Sequence, residues 1–221
     1  MNSFAFAKHA KQHLARIPTT ATIAFAALVV AALPFASSAL QYERDSIMAG
    51  ELWRFATCHV THWNGEHLLW DLLMFVVLAA WCERRNPLRM RMCLAFGVIA
   101  VSSTVFLFFP HMQAYRGLSG VDTALFTLLA VELFHEGRRE RDRLQCIATG
   151  GLLLGFVAKL AYEAIAGSTI FVDEQAAGFA PLVWDHLAGA VVGMVVALWP
   201  PASFRTIATL LHVTKNPYPS V

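Results

Sequence analysis

The chain has 221 residues, 57% of them hydrophobic and only 14% charged, with a net charge of +2 at neutral pH. A soluble domain carries nearer a quarter charged residues; here the charges gather in short clusters between long apolar runs, the pattern of a membrane bundle. So small a net charge argues against a polyanionic partner, and the chain holds no P-loop, dinucleotide fingerprint or nucleic-acid motif.

Six apolar segments follow in chain order, at about 19–40, 66–82, 92–109, 119–134, 146–166 and 180–199. A membrane-crossing helix needs ~20 residues, and ~17 is the short limit. The pattern predicts an all-α, six-transmembrane-helix membrane protein. Residues 1–18 form a cytoplasmic N-terminal segment, 19–200 the membrane domain and 201–221 a cytoplasmic tail. The first segment has a second reading. Lys8, Lys11 and Arg16, an apolar run and a small-residue stretch also fit a cleaved signal peptide, although the run is longer than a signal core. Past Pro200-Pro201, residues Phe204, Ile207, Leu210 and Leu211 are spaced for a short interfacial helix.

Basic residues set the orientation. With the N-terminus inside, 13 Lys and Arg fall on inner segments: Lys8, Lys11, Arg16, Arg84, Arg85, Arg89, Arg91, Arg138, Arg139, Arg141, Arg143, Arg205 and Lys215. Only Arg44, Arg54 and Arg116 fall outside, and Lys159 lies within the fifth segment. The inner arginine clusters read as solvated loops that fix topology. Cys82, Cys93 and Cys146 come at the inner face and Cys58 outside, so the four form no disulfide framework and read as small apolar fillers.

Polar groups inside a bilayer are costly and mark function by default. The second, fourth and sixth segments all run from outside to inside, and each carries such groups at its outer end. His67 lies 16 residues before Glu83, Ser119 lies 16 before His135 and His186 lies 14 before Pro200. Those spacings put all three ~21–24 Å above the inner boundary, within one layer. Asp71, one turn below His67, adds a carboxylate. A serine needs a base to become a nucleophile, and histidine suits that role near neutral pH. Ser119 opens a helix after Gly117-Leu118, so free amide N–H groups and the positive end of the helix dipole face a developing oxyanion. The parts suffice for peptide hydrolysis by a Ser–His pair.

Gly117-Leu118-Ser119-Gly120 resembles the GxSG of rhomboid proteases, and the run from His186 through Gly189 to Gly193 resembles that family's HxxGxxxG. Trp53-Arg54 is similar to its WR, His62 falls where a loop histidine often stands, and His67 to Asp71 aligns with HxxxN. Four motifs in order, over about residues 50–200, identify the chain as a member of the rhomboid family. The resemblance implies Ser119 as nucleophile and His186 as general base. His67 and the Ser119 N–H would line the oxyanion hole, with Asp71, Gly117 and Gly120 supporting the site and Gly189 and Gly193 packing helices. It further implies a 41–65 loop partly in the membrane with Arg54 near headgroups, and a gate at 167–179. No metal or cofactor is expected. The partners would be membrane-protein substrates and the bilayer of a bacterial inner membrane. Two positions depart from the pattern: Asp71 replaces an oxyanion-hole Asn, and Thr123 replaces an aromatic. The stretches 58–67 and 115–120 resemble the rhombosortase-like branch, which implies exported substrates cut near a C-terminal anchor.

Blander readings stand beside these. Ser119 also fits an N-cap. Cys58, His59, His62 and His67 could hold a metal, although their spacing matches no closed zinc pattern. Asp122 reads as a structural partner for a neighbouring helix or as a proton guide. Asp185 points about 100° away from His186 on a helix, and Lys159 pairs with Glu163 at i,i+4. At the level of function, the rivals are an inactive rhomboid-like protein that binds membrane clients and a small transporter.

Overall fold

Helix boundaries in the computed structural model follow the punctuation of the sequence closely. Residues 18–166 and 183–200 are described. The predicted gate at 167–179, the start of the sixth segment, the tail at 201–221 and nearly all of the N-terminal segment lie outside them. In chain order the elements are α1 (Pro18–Ala32), α2 (Pro34–Leu40), β1 (Tyr42–Glu43), α3 (Arg44–Met48) and α4 (Arg54–Thr57). A 3₁₀ turn (Cys58–Val60), α5 (Gly65–Arg85), α6 (Pro87–Phe108), β2 (Ala114–Tyr115), α7 (Ser119–Glu140), α8 (Arg143–Ala166) and α9 (Val183–Leu198) complete them.

The first apolar segment is two helices, not one. Leu33 is extended at φ −114°, ψ 93°, as the ring of a following proline requires. The same rule makes a one-residue hinge of Asn86, which precedes Pro87. Its N–H bonds Cys82 O to close α5 while its side chain accepts from Arg89 N to cap α6. Asn64 caps α5 in the same way through His67 N at 2.8 Å. At the far end of α7, Arg141 stands in the left-handed region at φ 60° and returns its N–H to Gly137 O.

α7 is the centre of the bundle and packs against α5, α6, α8 and α9. Val121, Ala124, Leu125, Leu128 and Leu129 of α7 meet Phe75, Leu78 and Ala79 of α5 and Cys93 and Leu94 of α6 in the main core. α8 is the opposite case, burying only Thr149 and Glu163. Among the described residues three helices are long and apolar enough to cross a membrane: Gly65–Arg85, Pro87–Phe108 and Arg143–Ala166. Pro18–Ala32 and Val183–Leu198 are apolar but shorter. The 22-residue α7 carries too much charge for the same class, with Asp122 and Glu132 among its residues.

Two arginine expectations change. Arg54 does not reach toward headgroups. It is 6% exposed and donates to Ser38 O and Gln41 O at 2.9 Å and to Glu51 at 2.6 Å. The carbonyls freed where α2 ends draw it inward. Nor are Arg85 and Arg89 merely solvated. Arg85 pairs with Glu136 at 2.8 Å. Arg89 joins Glu132 at 2.6 Å to Trp199 O, beyond the C-terminal end of α9, at 2.6 Å. A cation there also suits the negative end of the α9 dipole.

Candidate functional site

Residues 115–118, which lead into Ser119, are each tied to a different part of the fold. Tyr115 sits in the two-residue ribbon opposite Tyr42 and donates its hydroxyl to Asp185 at 2.8 Å. Arg116 donates to Gln41 and His62 O and stacks 4.5 Å over Trp63. Gly117 gives its N–H to Cys58 O at 3.2 Å, and its carbonyl accepts from His59 Nδ1 at 3.1 Å. Leu118 N donates to Asp71 Oδ2 at 2.8 Å. With φ at +122°, and with Asp71 Oδ2 and the His67 ring only 2.9 Å from where a Cβ would lie, position 117 admits only glycine. The N–H groups at 117 and 118 are thereby used up, and the first amides of α7, as at any helix start, have no intrahelical partners.

Asp71 is the hinge pin of this turn. Besides Leu118 N, His62 Nε2 approaches its Oδ2 at 3.3 Å and His67 Nε2 at 3.2 Å. In this arrangement the carboxylate anchors the GLSG turn and orients His67. It does not stand as a donor in the place of an asparagine amide. His59 is buried behind, between Gly117 O and the Ser102 hydroxyl, 3.1 Å away. Burial pushes its pKa below the ordinary imidazole value, and the same cause lifts the Cys58 thiol to about 12 and raises the Tyr115 phenol. These three groups therefore stay neutral through the physiological range.

α9 brings the other half of the site. Its glycines lie directly on the α7 backbone: a Cβ at 189 would strike Gly120 O and Thr123, and one at 193 would strike Ala124 O and Leu128 N. A Cβ at Gly120 would meet Val101 at 2.9 Å. Thr123 stitches the seam, its hydroxyl facing Gly120 O at 2.7 Å and His186 O at 3.0 Å. Contact this close is what small residues permit between helices in lipid.

Ser119, His186, His67 and Asp71 all line one cavity of about 1220 Å³. Trp70, Met74, Phe126 and Phe156 are among its apolar walls. No hydrogen bond joins Ser119 to His186 among the described residues. The imidazole instead stands between two acids, with Nδ1 3.5 Å from Glu163 Oε2 and Nε2 3.6 Å from Asp185 Oδ1. The predicted pair of Lys159 with Glu163 is present at 2.7 Å, but its reach to His186 was not foreseen. Counting up α8 from Arg143 at 1.5 Å per residue would have put Glu163 ~30 Å up, in the outer layer. Asp185 also stands nearer the imidazole than a 100° offset suggests, because it lies in the first turn of α9, where both side chains turn toward the cavity. Asp122 lines the same cavity, and among the described residues its Oδ1 has no hydrogen-bond partner, so the expected neighbour on another helix is not found at that atom.

No curated protein matches the chain. The model of the Rhomboid domain matches residues 49–200, more than half of the chain and the stretch that holds every element of the site. With its apolar helices, its glycine seam and a serine and histidine on one cavity, this integral membrane protein belongs to the rhomboid family.

Proposed function

We propose that the protein is an intramembrane serine endopeptidase that cleaves the membrane-embedded segment of a protein substrate through Ser119 and His186. The observation that carries this reading is their meeting on one cavity, the serine at the mouth of α7 and the histidine on α9, across a seam with no room for a Cβ. The imidazole takes the Ser119 proton as Oγ bonds to the scissile carbonyl carbon. The oxyanion draws on the Ser119 amide and His67. The proton then passes to the leaving amine, and water releases the acyl group by the reverse sequence. A distance longer than a hydrogen bond between serine and base is usual before substrate tightens the site.

Six spans, with both termini cytoplasmic and the site near the outer face, fit the distribution of basic residues. In this reading residues 1–18 and 201–221 flank a membrane domain at 19–200, in a bacterial inner membrane. The likeness of 58–67 and 115–120 to the rhombosortase-like branch supports exported substrates cut near a C-terminal anchor. Substrate helices must unwind to bare a carbonyl, so small or helix-breaking residues are expected at the cut.

A client-binding, inactive protein is the second reading. The engagement of both His186 nitrogens with acids favours it. Replacing Ser119 with Ala is expected to abolish cleavage of a co-expressed model substrate at unchanged expression, and the native chain should label with a fluorophosphonate. Cleavage that survives the substitution, or a folded native chain that never labels, sinks the protease reading.

A further inference from the structure

We infer that Glu163 is a positioning residue that makes the Ser119–His186 pair a triad, holding the imidazole through Nδ1 so that Nε2 is left for the serine proton; this rests on the protease reading above. The geometry is specific. α8 turns its side chains outward almost everywhere, yet Glu163 is 1% exposed and its Oε2 lies 3.5 Å from His186 Nδ1. Lys159 Nζ holds both Glu163 oxygens at 2.7 Å, which fixes the carboxylate in place. A charge so deeply buried is retained only when paired, and here one acid serves both a lysine and the base.

The chemistry gives Glu163 its use. Transfer of the Ser119 proton to Nε2, as the Oγ–C bond forms, leaves an imidazolium whose Nδ1 stands 3.5 Å from Glu163 Oε2, within reach of its charge although no hydrogen bond joins them among the described residues. The carboxylate selects the tautomer with hydrogen on Nδ1 beforehand and stabilises the positive ring afterward. It takes no proton itself. When the C–N bond breaks, Nε2–H passes its proton to the departing amine and the ring returns to its first state. The other ionisable groups on the cavity are placed differently. Asp185, on the same helix, is held by Tyr115 through Oδ2, while its Oδ1 stands 3.6 Å from Nε2, on the side the serine proton must reach. Asp71 of α5 is held by Leu118 N and lies with His67. Asp122 of α7 shares the cavity wall. Among the described acids of the cavity, Glu163 is the one that faces Nδ1.

The rival account is that Glu163 merely neutralises Lys159 within the bundle. Three full-length variants, Lys159→Met, Glu163→Gln and the double replacement, separate the two in detergent. The readouts are steady-state cleavage of a model substrate and the fluorophosphonate labelling rate of Ser119. Glu163→Gln should lower kcat by about 10²-fold with KM little changed, and slow labelling in parallel. Lys159→Met removes the ammonium that fixes the carboxylate but leaves the carboxylate itself, so it should lower kcat less than Glu163→Gln does. The double variant decides, because it leaves no lone lysine to unfold the chain: kcat still ~10²-fold down at native thermal stability supports the triad. Recovery of native kcat in the double variant, or an undiminished Glu163→Gln, overturns it. A native chain that does not label at all would instead strike the protease reading itself.

Discussion

His59 has the narrowest set of choices of any side chain in the site. Gly117 O can only accept, so Nδ1 must carry the hydrogen, and the neutral ring then turns Nε2 to a Ser102 hydroxyl whose single hydrogen is also drawn by Phe55 O at 2.7 Å. The folded ring binds a second proton less readily than the unfolded one, whose value is near 6.5. Its contribution to stability is therefore complete above that pH and is lost as pH falls below it. Thermal unfolding in detergent should show the native protein losing up to about 1.4 kcal/mol per pH unit below 6.5 relative to His59→Asn. Parallel curves for the two proteins would refute this account. At the same scale, that Ser119, His186 and His67 share a cavity was legible in the sequence, because a count of helical rise places them in one layer with Asp71 one turn below. Glu163 was not, since its i,i+4 lysine explained it too easily. Arg54 is not near headgroups as the family resemblance implies, because the carbonyls that bury it exist only once the first segment has broken at Leu33.

Helix packing separates what is anchored from what is not. α7 and α9 share a seam closed by Gly120, Gly189 and Gly193 at one end and by Arg89 at the other. α1 is fixed differently: Glu83 of α5 accepts from Thr19 N, Thr20 N and the Thr20 hydroxyl, satisfying N–H groups of its first turn. Gly193→Ala would push Cβ into Ala124 O and Leu128 N. Overpacking of this kind costs about 1–3 kcal/mol. A lowered unfolding temperature and a loss of cleavage larger than that of an exposed control such as Gly151→Ala, where a Cβ meets nothing, are the expected results. The existence and order of these helices could be read from apolar runs and caps. The break at Leu33 was hidden because an apolar count does not register a proline, and the extra turns of α7 were hidden because they are charged.

Across the whole molecule, the arrangement of basic residues makes a prediction about sidedness. With Cys146 replaced, single cysteines at His111 and Arg141, both exposed, should behave oppositely in intact cells. An impermeant maleimide should label the first and spare the second. Buried Cys58, its thiol lifted to about 12, adds no background. Equal labelling of both positions would overturn the orientation. The seam between α7 and α9 also governs timing. Thr123 and His186, which it joins, stand 63 positions apart, and the acids bracketing the imidazole, Glu163 and Asp185, also follow Ser119 in the chain. On the proposed protease reading, a ribosome therefore finishes the helix that bears Ser119 long before His186 exists. Until the last helix docks, the growing polypeptide holds an ordinary alcohol, harmless to itself and to the insertion machinery around it.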